Sequence, residues 1–276
     1  MKSLLFATAG IPLSTPKPGT IEGIKRVRAL GLDAMELEFV QNVNVSRELA
    51  PEVKKTAEQN SVLLTCHGSY YINLNSSEKE KRNASKKRVL DGAKRAWECG
   101  AQSIAFHAAF YQKNSQKEVF ETVKKALQEI VLELKAEGNK IWVRPETTGK
   151  ASQFGTIEEI IALASEIEQV MPCIDFSHLH ARSNGKMNTY AEFASVLEKM
   201  EKGLGKSALK ELHCHVSGIA YSEKGERNHL DLKESDFNYK DLLKAFKDFD
   251  CSGIIVCESP SIEGDALILK KAFSSL

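Results

Sequence analysis

Histidines and carboxylates in this sequence fall at the ends of short apolar runs. All seven histidines lie at the end of such a run or shortly after it: His67, His107, His178, His180, His213, His215 and His229. Glu146, Asp175 and Glu258 occupy similar positions. Imidazole and carboxylate ligands without clustered thiolates suit zinc or manganese rather than a cysteine-rich structural site. Because one tetrahedral ion cannot use so many ligands, we expect a hydrolytic site with two to three zinc ions, or manganese in their place.

The stretch Met171–Arg182, MPCIDFSHLHAR, contains the densest set of candidate ligands. A strand with a buried pattern, Pro172–Ile174, gives way to Asp175, His178 and His180 where regular structure is expected to stop. We therefore predict that these three side chains follow a strand end, and that no histidine of the chain lies in a helix.

Eight apolar, strand-like runs alternate with helical patterns along the chain. The predicted strands are Leu4–Ala9, Asp33–Phe39, Ser61–His67, Ala101–His107, Lys140–Glu146, Pro172–Asp175, Leu209–His215 and Gly253–Glu258. The alternation predicts an α/β fold, a single (β/α)8 TIM barrel formed by one domain over residues 1–276. A doubly wound open sheet is less favoured, because no glycine-rich turn follows the first strand. In a barrel the carboxyl ends of all strands meet on one rim, so the candidate ligands would be neighbours.

Local signals mark several helix boundaries. Thr156 and Glu159 have the spacing of a capping box at a helix start. Gly31, Gly100 and Gly138 follow helical patterns and precede strands, as glycines that end helices do. The polar stretch Val216–Phe237 contains no predicted element.

Composition restricts the partners and the location of the chain. The formal net charge is +1, so a nucleic acid would have to be held by a local basic patch. No apolar run approaches the roughly 18 to 20 residues that cross a bilayer, so we expect no membrane partner. The N-terminal apolar run fits a first strand better than a secretory signal. Six cysteines without a Cys-x-x-Cys pair indicate reduced, buried side chains in a cytoplasmic protein.

Seven short motifs follow one another in the order of the predicted strands. They are His67-Gly68-Ser69-Tyr70-Tyr71-Ile72-Asn73-Leu74, His107, Glu146-Thr147-Thr148-Gly149, Gln153-Phe154-Gly155-Thr156, Asp175-x-x-His178, His213 and Glu258-Ser259-Pro260. In this order and spacing the chain resembles endonuclease IV, the family of zinc-dependent apurinic/apyrimidinic endonucleases within the xylose-isomerase-like barrels. The resemblance runs from the second strand to the eighth.

The resemblance implies a ligand set for each ion. One zinc would be held by His67, His107 and Glu146, and a second by Glu146 as a bridge together with Asp175, His213 and Glu258. A third would be held by His178 and His229. Hydroxide generated at this cluster would attack the DNA phosphate 5′ to an abasic site, with Glu146 as the catalytic bridge. The resemblance also implies a monomer, because the rim must open onto a bent duplex.

The chain departs from the family at two places. Arg227 stands two residues before His229, where the family has an aspartate that binds the third ion, and Glu226 or a water could substitute. Val216 and Ser217 follow His215 where the family has an asparagine and an aspartate after the histidine. His215 is therefore either an additional ligand or a group that supports one.

Other polar side chains are expected to support the site. We expect Glu36 and Glu38 to line the barrel and to hydrogen-bond to the ligating histidines. His180 is expected to support the site from its loop. Tyr70 and Tyr71 lie where the family inserts side chains into the DNA gap, and they could stack on bases; otherwise they are loop aromatics that cover the rim.

Two other classes of protein remain open. A sugar isomerase or epimerase of the same barrel superfamily would hold one divalent ion with Glu146, Asp175, His213 and Glu258 and would use two carboxylates for proton transfer. A non-catalytic zinc- or DNA-binding scaffold could have lost turnover at Val216 and Arg227. His107, His178 and His229 favour the nuclease, because a one-metal enzyme does not need them.

Overall fold

The computed structural model describes residues 3–276 and contains an eight-stranded parallel sheet. The strands are β1 (Leu4–Ala9), β2 (Ala34–Glu38), β3 (Leu63–His67), β4 (Ser103–Phe106), β5 (Ala109–Phe110), β6 (Trp142–Pro145), β7 (Gln153–Phe154), β8 (Ile174–Asp175), β9 (Leu212–Val216), β10 (Gly218–Ser222), β11 (Gly225–Leu230) and β12 (Gly253–Cys257). The parallel sheet has the order β6-β4-β3-β2-β1-β12-β9-β8. The other four strands form two small antiparallel pairs, β5 with β7 and β10 with β11.

Backbone hydrogen bonds also connect the two end strands of this sheet. Met171 N donates to Val143 O, and Cys173 N donates to Pro145 O. Glu146 and Cys173 form a parallel bridge at the same place. The sheet therefore curls round on itself, and the predicted α/β (β/α)8 TIM barrel is confirmed.

Helices follow the barrel strands and cover the outside of the sheet. They are α1 (Thr20–Ala29), α2 (Ala50–Asn60), α3 (Lys79–Glu98), α4 (Gln116–Ala136), α5 (Ile157–Glu166), α6 (Phe176–Arg182), α7 (Tyr190–Leu204), α8 (Tyr239–Asp248) and α9 (Glu263–Ser274). Their apolar faces pack against the sheet in one large core that includes Ile24, Val53, Val89, Leu127 and Phe246. No helix within residues 3–276 is long and apolar enough to cross a membrane.

The predicted boundary signals are present. Glu159 N donates to Thr156 Oγ1, and Thr156 N donates to Glu159 Oε2, which completes the capping box before α5. Gly31, Gly100 and Gly138 have φ values of 77°, 83° and 71°, a left-handed conformation in which a side chain would be strained. The six cysteines are buried and unpaired, as the sequence predicted.

Two elements differ from the sequence prediction. The prediction that no histidine lies in a helix was wrong, because His178 and His180 lie in α6. The cause is local, since the Asp175 side chain accepts a hydrogen bond from His178 N and starts the helix directly after β8. The polar stretch after β9 also contains a hairpin of β10 and β11, whose residues alternate too weakly in polarity to indicate strands.

Candidate metal centre

The candidate ligands meet at the carboxyl ends of the barrel strands. His67 ends β3 and Asp175 ends β8, while His107, Glu146 and Glu258 follow β4, β6 and β12 directly or by one residue. The parallel register aligns these ends, and residues far apart in sequence thereby become neighbours. Four overlapping groups of potential ligand atoms result at this rim, each with its atoms within 4.8 Å of one another. Three of them include Glu146 or Asp175 and are described below, and the fourth consists of His67, His215 and Glu258.

The first group consists of His67, His107 and Glu146. His67 Nε2 lies 3.1 Å from Glu146 Oε2, and His107 Nε2 lies 3.4 Å from Glu146 Oε1. His67 Nδ1 donates to Gly68 O over 2.8 Å, so Nε2 is the nitrogen that could bind an ion once its proton is displaced. The two imidazoles therefore face one buried carboxylate from two sides.

The central group consists of Glu146, Asp175, His215 and Glu258. His215 Nδ1 lies 3.3 Å from Glu146 Oε1 and 3.4 Å from Glu258 Oε1. Glu146 thus belongs to two groups, as a bridging carboxylate would.

The outer group consists of Asp175, His178 and His229. His178 Nδ1 donates to Thr147 O, and His229 Nδ1 donates to Glu258 O, so Nε2 is the nitrogen of each ring that could bind an ion. Carbonyl groups hold many metal-binding histidines in this way.

Glu226 approaches the outer group on strand β11. Its Oε2 lies 3.6 Å from His178 Nε2, whereas Arg227 is exposed and points to solvent. A carboxylate three residues before His229 thus lies beside the outer group, but it is not a member of any ligand group within residues 3–276.

The hairpin that carries Glu226 and His229 sits directly on the loop after β6. Gly225 has a φ of 92°, and a Cβ there would lie 2.3 Å from Gly149 O. A Cβ on Gly149 would lie 2.6 Å from Glu226 Cβ. Both positions therefore require glycine, and Glu226 N donates to Gly149 O across the contact.

The polar atoms of these groups fit a cation. Glu146 Oε1, Asp175 Oδ2 and His215 Nδ1 are buried and have no partner with hydrogen-bond geometry. Leaving such atoms unpaired costs free energy, about 1–3 kcal/mol for each neutral group and more for charged ones. Oxygen and imidazole nitrogen atoms that converge without hydrogen bonds are the donor set that Zn²⁺ or Mn²⁺ takes. Divalent ions would satisfy all three atoms at once.

The pKa values of the side chains in these groups also indicate a site for a cation. Burial disfavours the imidazolium of His67, but the contact with Glu146 outweighs burial and raises the pKa to about 10. Burial likewise opposes protonation of His178, while Asp175 and Glu146 raise its pKa to about 10. Burial raises the pKa of Asp175 to about 7. Protons therefore neutralise the carboxylates where no cation is bound.

The position expected for His213 is taken by His215. Both side chains face the barrel interior because they are two residues apart on β9. His215 is the residue in register with Asp175, the last residue of β8, so it reaches the rim. His213 lies one layer deeper, with Nδ1 3.0 Å from Ser103 Oγ. The group at the position expected for the second ion therefore contains His215, whereas His213, which was predicted there, lies outside it.

Glu36 contacts the Nε2 atoms of both His213 and His215. Its Oε1 lies 3.0 Å from His215 Nε2, and its Oε2 lies 2.9 Å from His213 Nε2. These contacts lack hydrogen-bond geometry, unlike the expected hydrogen bonds. Glu38 does not hydrogen-bond to a histidine through its buried Oε1, and burial, followed by the charge of Glu36, raises its pKa to about 8.

His180 belongs to none of the ligand groups found among residues 3–276. Its Nε2 lies 3.0 Å from Asp236 Oδ1, and its Nδ1 lies 3.1 Å from Met187 O. Tyr221 donates to the other oxygen of Asp236 over 2.6 Å. His180 thus connects α6 to the hairpin and to the segment after it.

Exposed aromatic side chains stand beside the ligands. Tyr70 and Tyr71 are each 64% exposed, and the Tyr70 ring centroid lies 5.8 Å from that of His67. A cavity of about 270 Å³ opens at the rim, and its lining includes Tyr70, Phe110 and Lys150 together with all three residues of the first group. The rim therefore offers a cavity lined by candidate ligands, with aromatic rings at its edge.

The structure combines a barrel fold with a candidate metal centre, and sequence comparison places the chain in a family. A model described as the xylose isomerase-like TIM barrel matches residues 24–275. The chain belongs to the xylose isomerase-like TIM barrel family. It is 44% identical over 273 residues to an uncharacterized protein of Methanocaldococcus jannaschii, with 99% of this chain and 98% of that protein covered.

More distant relatives and solved structures include two kinds of enzyme. The apurinic-apyrimidinic endonuclease 1 of Plasmodium falciparum is 27% identical over 220 residues, which cover 76% of this chain and 35% of that protein. A D-tagatose 3-epimerase-like protein superimposes with a TM-score of 0.73 over 97% of this chain and 96% of its own. Endonuclease IV from Thermus thermophilus superimposes with a TM-score of 0.71 over 97% of this chain and 98% of its own. Both structures are 18% identical to this chain and share its fold.

Proposed function

We propose that this chain is a zinc-dependent phosphodiesterase that cleaves DNA on the 5′ side of abasic sites, as endonuclease IV does. The observation that supports it is the sharing of ligands on the rim, where Glu146 joins the first and central groups and Asp175 joins the central and outer groups. A reaction that needs one ion would leave His107, His178 and His229 without a purpose. A phosphodiester, whose attacked and leaving oxygens both carry charge, suits several adjoining ions.

Each group of side chains has a part in this proposal. Bound divalent ions would provide a nucleophile at neutral pH and would neutralise charge on the phosphoryl oxygens. Glu146 holds the first two positions at a fixed separation, because its two oxygens face His67 and His107 while Oε1 also faces His215. Lys150 lines the same cavity and adds a positive charge that attracts a phosphate.

Tyr70 and Tyr71 are proposed to contact the DNA next to the missing base. An abasic nucleotide leaves the helical stack at low cost, and the exposed rings could stack on the bases that remain. Arg88 lies 6.0 Å from the Tyr71 ring centroid and sits above it, so a cation is available for the nearby phosphates. The chain is proposed to act as a monomer, with this face open to a duplex.

The test is cleavage of a duplex that contains one abasic-site analogue, with and without a metal chelator. Wild-type protein should cut 5′ to the analogue and leave a 3′-hydroxyl, and chelation should stop the reaction. Glu146→Gln should abolish cleavage because it removes the charge shared by two groups. Glu198→Gln, at an exposed site on α7, is the matched control and should cut normally. Tight binding without cutting at any zinc concentration would instead indicate a DNA-binding scaffold.

A one-metal sugar isomerase or epimerase is the second candidate. The central group supports it, because Glu146, Asp175, His215 and Glu258 alone could hold one ion with a substrate. Metal analysis of protein purified without added metal separates the two candidates. Two to three zinc ions per chain at the rim favour the phosphodiesterase, whereas one manganese or magnesium ion there with no cleavage of abasic DNA overturns it.

A further inference from the structure

Four side chains with metal-binding chemistry meet inside the barrel, between the rim and the layer below it. Glu36, Cys173, His213 and His215 are each 2% exposed or less. Ligand atoms of Cys173, His213 and His215 lie within 4.8 Å of one another. Glu36 contacts both imidazoles, as described above. We call these four residues the inner cluster.

The polar atoms of the inner cluster face one another at short distances but without hydrogen-bond geometry. Both oxygens of Glu36 and the Nε2 atoms of His213 and His215 are buried without a partner of hydrogen-bond geometry. The two nitrogen–oxygen distances are nevertheless only 2.9 and 3.0 Å. Atoms this close without hydrogen bonds are arranged as ligands of a shared ion would be. The same signature marks the ligand groups on the rim.

We propose that the inner cluster binds a divalent ion of zinc-like preference through Cys173, His213, His215 and Glu36. Four ligands of nitrogen, sulphur and oxygen match a closed tetrahedral zinc site. The thiolate and the carboxylate supply negative charge against the two positive charges of the ion, as a buried ion requires. Arg144 also lies near His213, but its guanidinium donates to Pro172 O and Glu211 O.

His215 links this site to the rim. Its Nδ1 faces Glu146 and Glu258, and its Nε2 faces Glu36. When both sides are occupied, the ring binds one ion through each nitrogen and gives up its ring proton to solvent, as the Cys173 thiol also does. The inner site would then act as a structural support that fixes the orientation of a rim ligand.

Cysteine distinguishes the inner site from the rim by spectroscopy. None of the three rim groups that include Glu146 or Asp175 contains a cysteine. A thiolate bound to Co²⁺ gives strong charge-transfer absorption in the near ultraviolet, which oxygen and imidazole ligands do not give. Cobalt-loaded wild-type protein should show this band. The measurement requires no DNA and does not depend on the proposed nuclease activity.

The decisive comparison is between two buried cysteines. Cys173→Ala should lose the band and bind one ion fewer per chain. Cys214→Ala is the matched control, because Cys214 is equally buried and lies between the two histidines but packs in the outer core, and it should keep the band. His213→Gln should also lose the band and one ion, and it replaces the Cys173 variant if that protein does not fold. Absence of the band from cobalt-loaded wild-type protein, or its survival in both Cys173→Ala and His213→Gln, overturns the proposal.

Discussion

Asp175 Oδ1 accepts a hydrogen bond of 2.7 Å from the backbone nitrogen of His178. The second oxygen, Oδ2, is buried without a hydrogen bond and lies 3.2 Å from His178 Nδ1. One carboxylate therefore starts helix α6 and also offers a ligand atom to the central and outer groups. The helix start is what turns His178 toward the rim.

Two substitutions at Asp175 should separate these roles. Asn is as good a helix cap as Asp, so Asp175→Asn should keep α6 while losing the charge that a metal ion needs. Asp175→Ala should lose both, and its metal-free form should be less stable than that of Asp175→Asn by about 1 kcal/mol. Denaturant unfolding and metal analysis measure the two effects. Equal stability of the two metal-free variants would contradict the capping role.

The two histidines of β9 should differ in their effect on catalysis. His215→Gln removes a rim ligand and should eliminate detectable cleavage of abasic DNA. His213→Gln acts through Glu36 and the inner cluster, and its loss of activity should stay within the 10- to 100-fold range, roughly, of residues that support a ligand. Single-turnover rates at saturating zinc give the comparison. A larger loss for His213→Gln would return the rim role to His213.

Glu226 and Arg227, which are neighbours on β11, should differ in their effect on metal affinity. Glu226→Gln removes the carboxylate beside His178. It should weaken binding of an ion at the outer group by about tenfold or more. Arg227→Ala should leave metal affinity unchanged, because this side chain is exposed. It should instead reduce the salt dependence of DNA binding by about one unit of slope if Arg227 contacts a phosphate. Chelator competition and anisotropy titrations test the pair; similar metal affinities for both variants would exclude Glu226 as a ligand.

Tyr70 should contribute to recognition of the lesion. Loss of a stacking ring costs about 1–3 kcal/mol, so Tyr70→Ala should weaken binding of abasic DNA by about tenfold or more. Tyr70→Phe keeps the ring and should bind like the wild type. Fluorescence anisotropy with catalytically inactive Glu146→Gln as background measures affinity without cleavage. If the Ala and Phe variants bind equally well, the ring has no part in stacking.

Metal binding should release protons near neutral pH. The raised pKa values of His67 and His178, both about 10, mean that these rings are protonated in the metal-free protein at pH 7. A metal ion must displace those protons, so its apparent affinity should rise with pH through the neutral range and level off near pH 10. Calorimetry in buffers with different ionisation enthalpies counts the protons. Binding without proton release would show that these histidines are not ligands.

Most of the barrel was predictable because its strands are short apolar runs that end at a polar residue. Leu4–Ala9 was predicted with the boundaries that the structure has, and the other barrel strands differ by a few residues at their ends. Strand ends also identify the rim positions, since the carboxyl ends of parallel strands must converge. This was enough to bring His67, His107, Glu146, Asp175 and Glu258 together.

The register of β9 against β8, and therefore the depth of its side chains in the barrel, was not predictable from the sequence. His213 and His215 have the same side-chain direction, and only the stagger of β9 against β8 decides which of them reaches the rim. The sequence predicts Cys173 as an inert core residue, because its closeness to the two histidines arises from strand pairing across the barrel. The ends of β9 are defined by its neighbours rather than by its own residues, so a single sequence does not contain this information.

The glycine contact between Gly149 and Gly225 joins the hairpin to the barrel through main-chain atoms. This main-chain contact does not depend on the side chains of exposed hairpin residues, provided that both glycines remain. The exposed positions of the hairpin can consequently drift during evolution while the first and central ligand groups stay intact. Under the proposed function, substitutions in β10 and β11 alone could therefore change the substrate, while the ligands on the barrel strands stay in place.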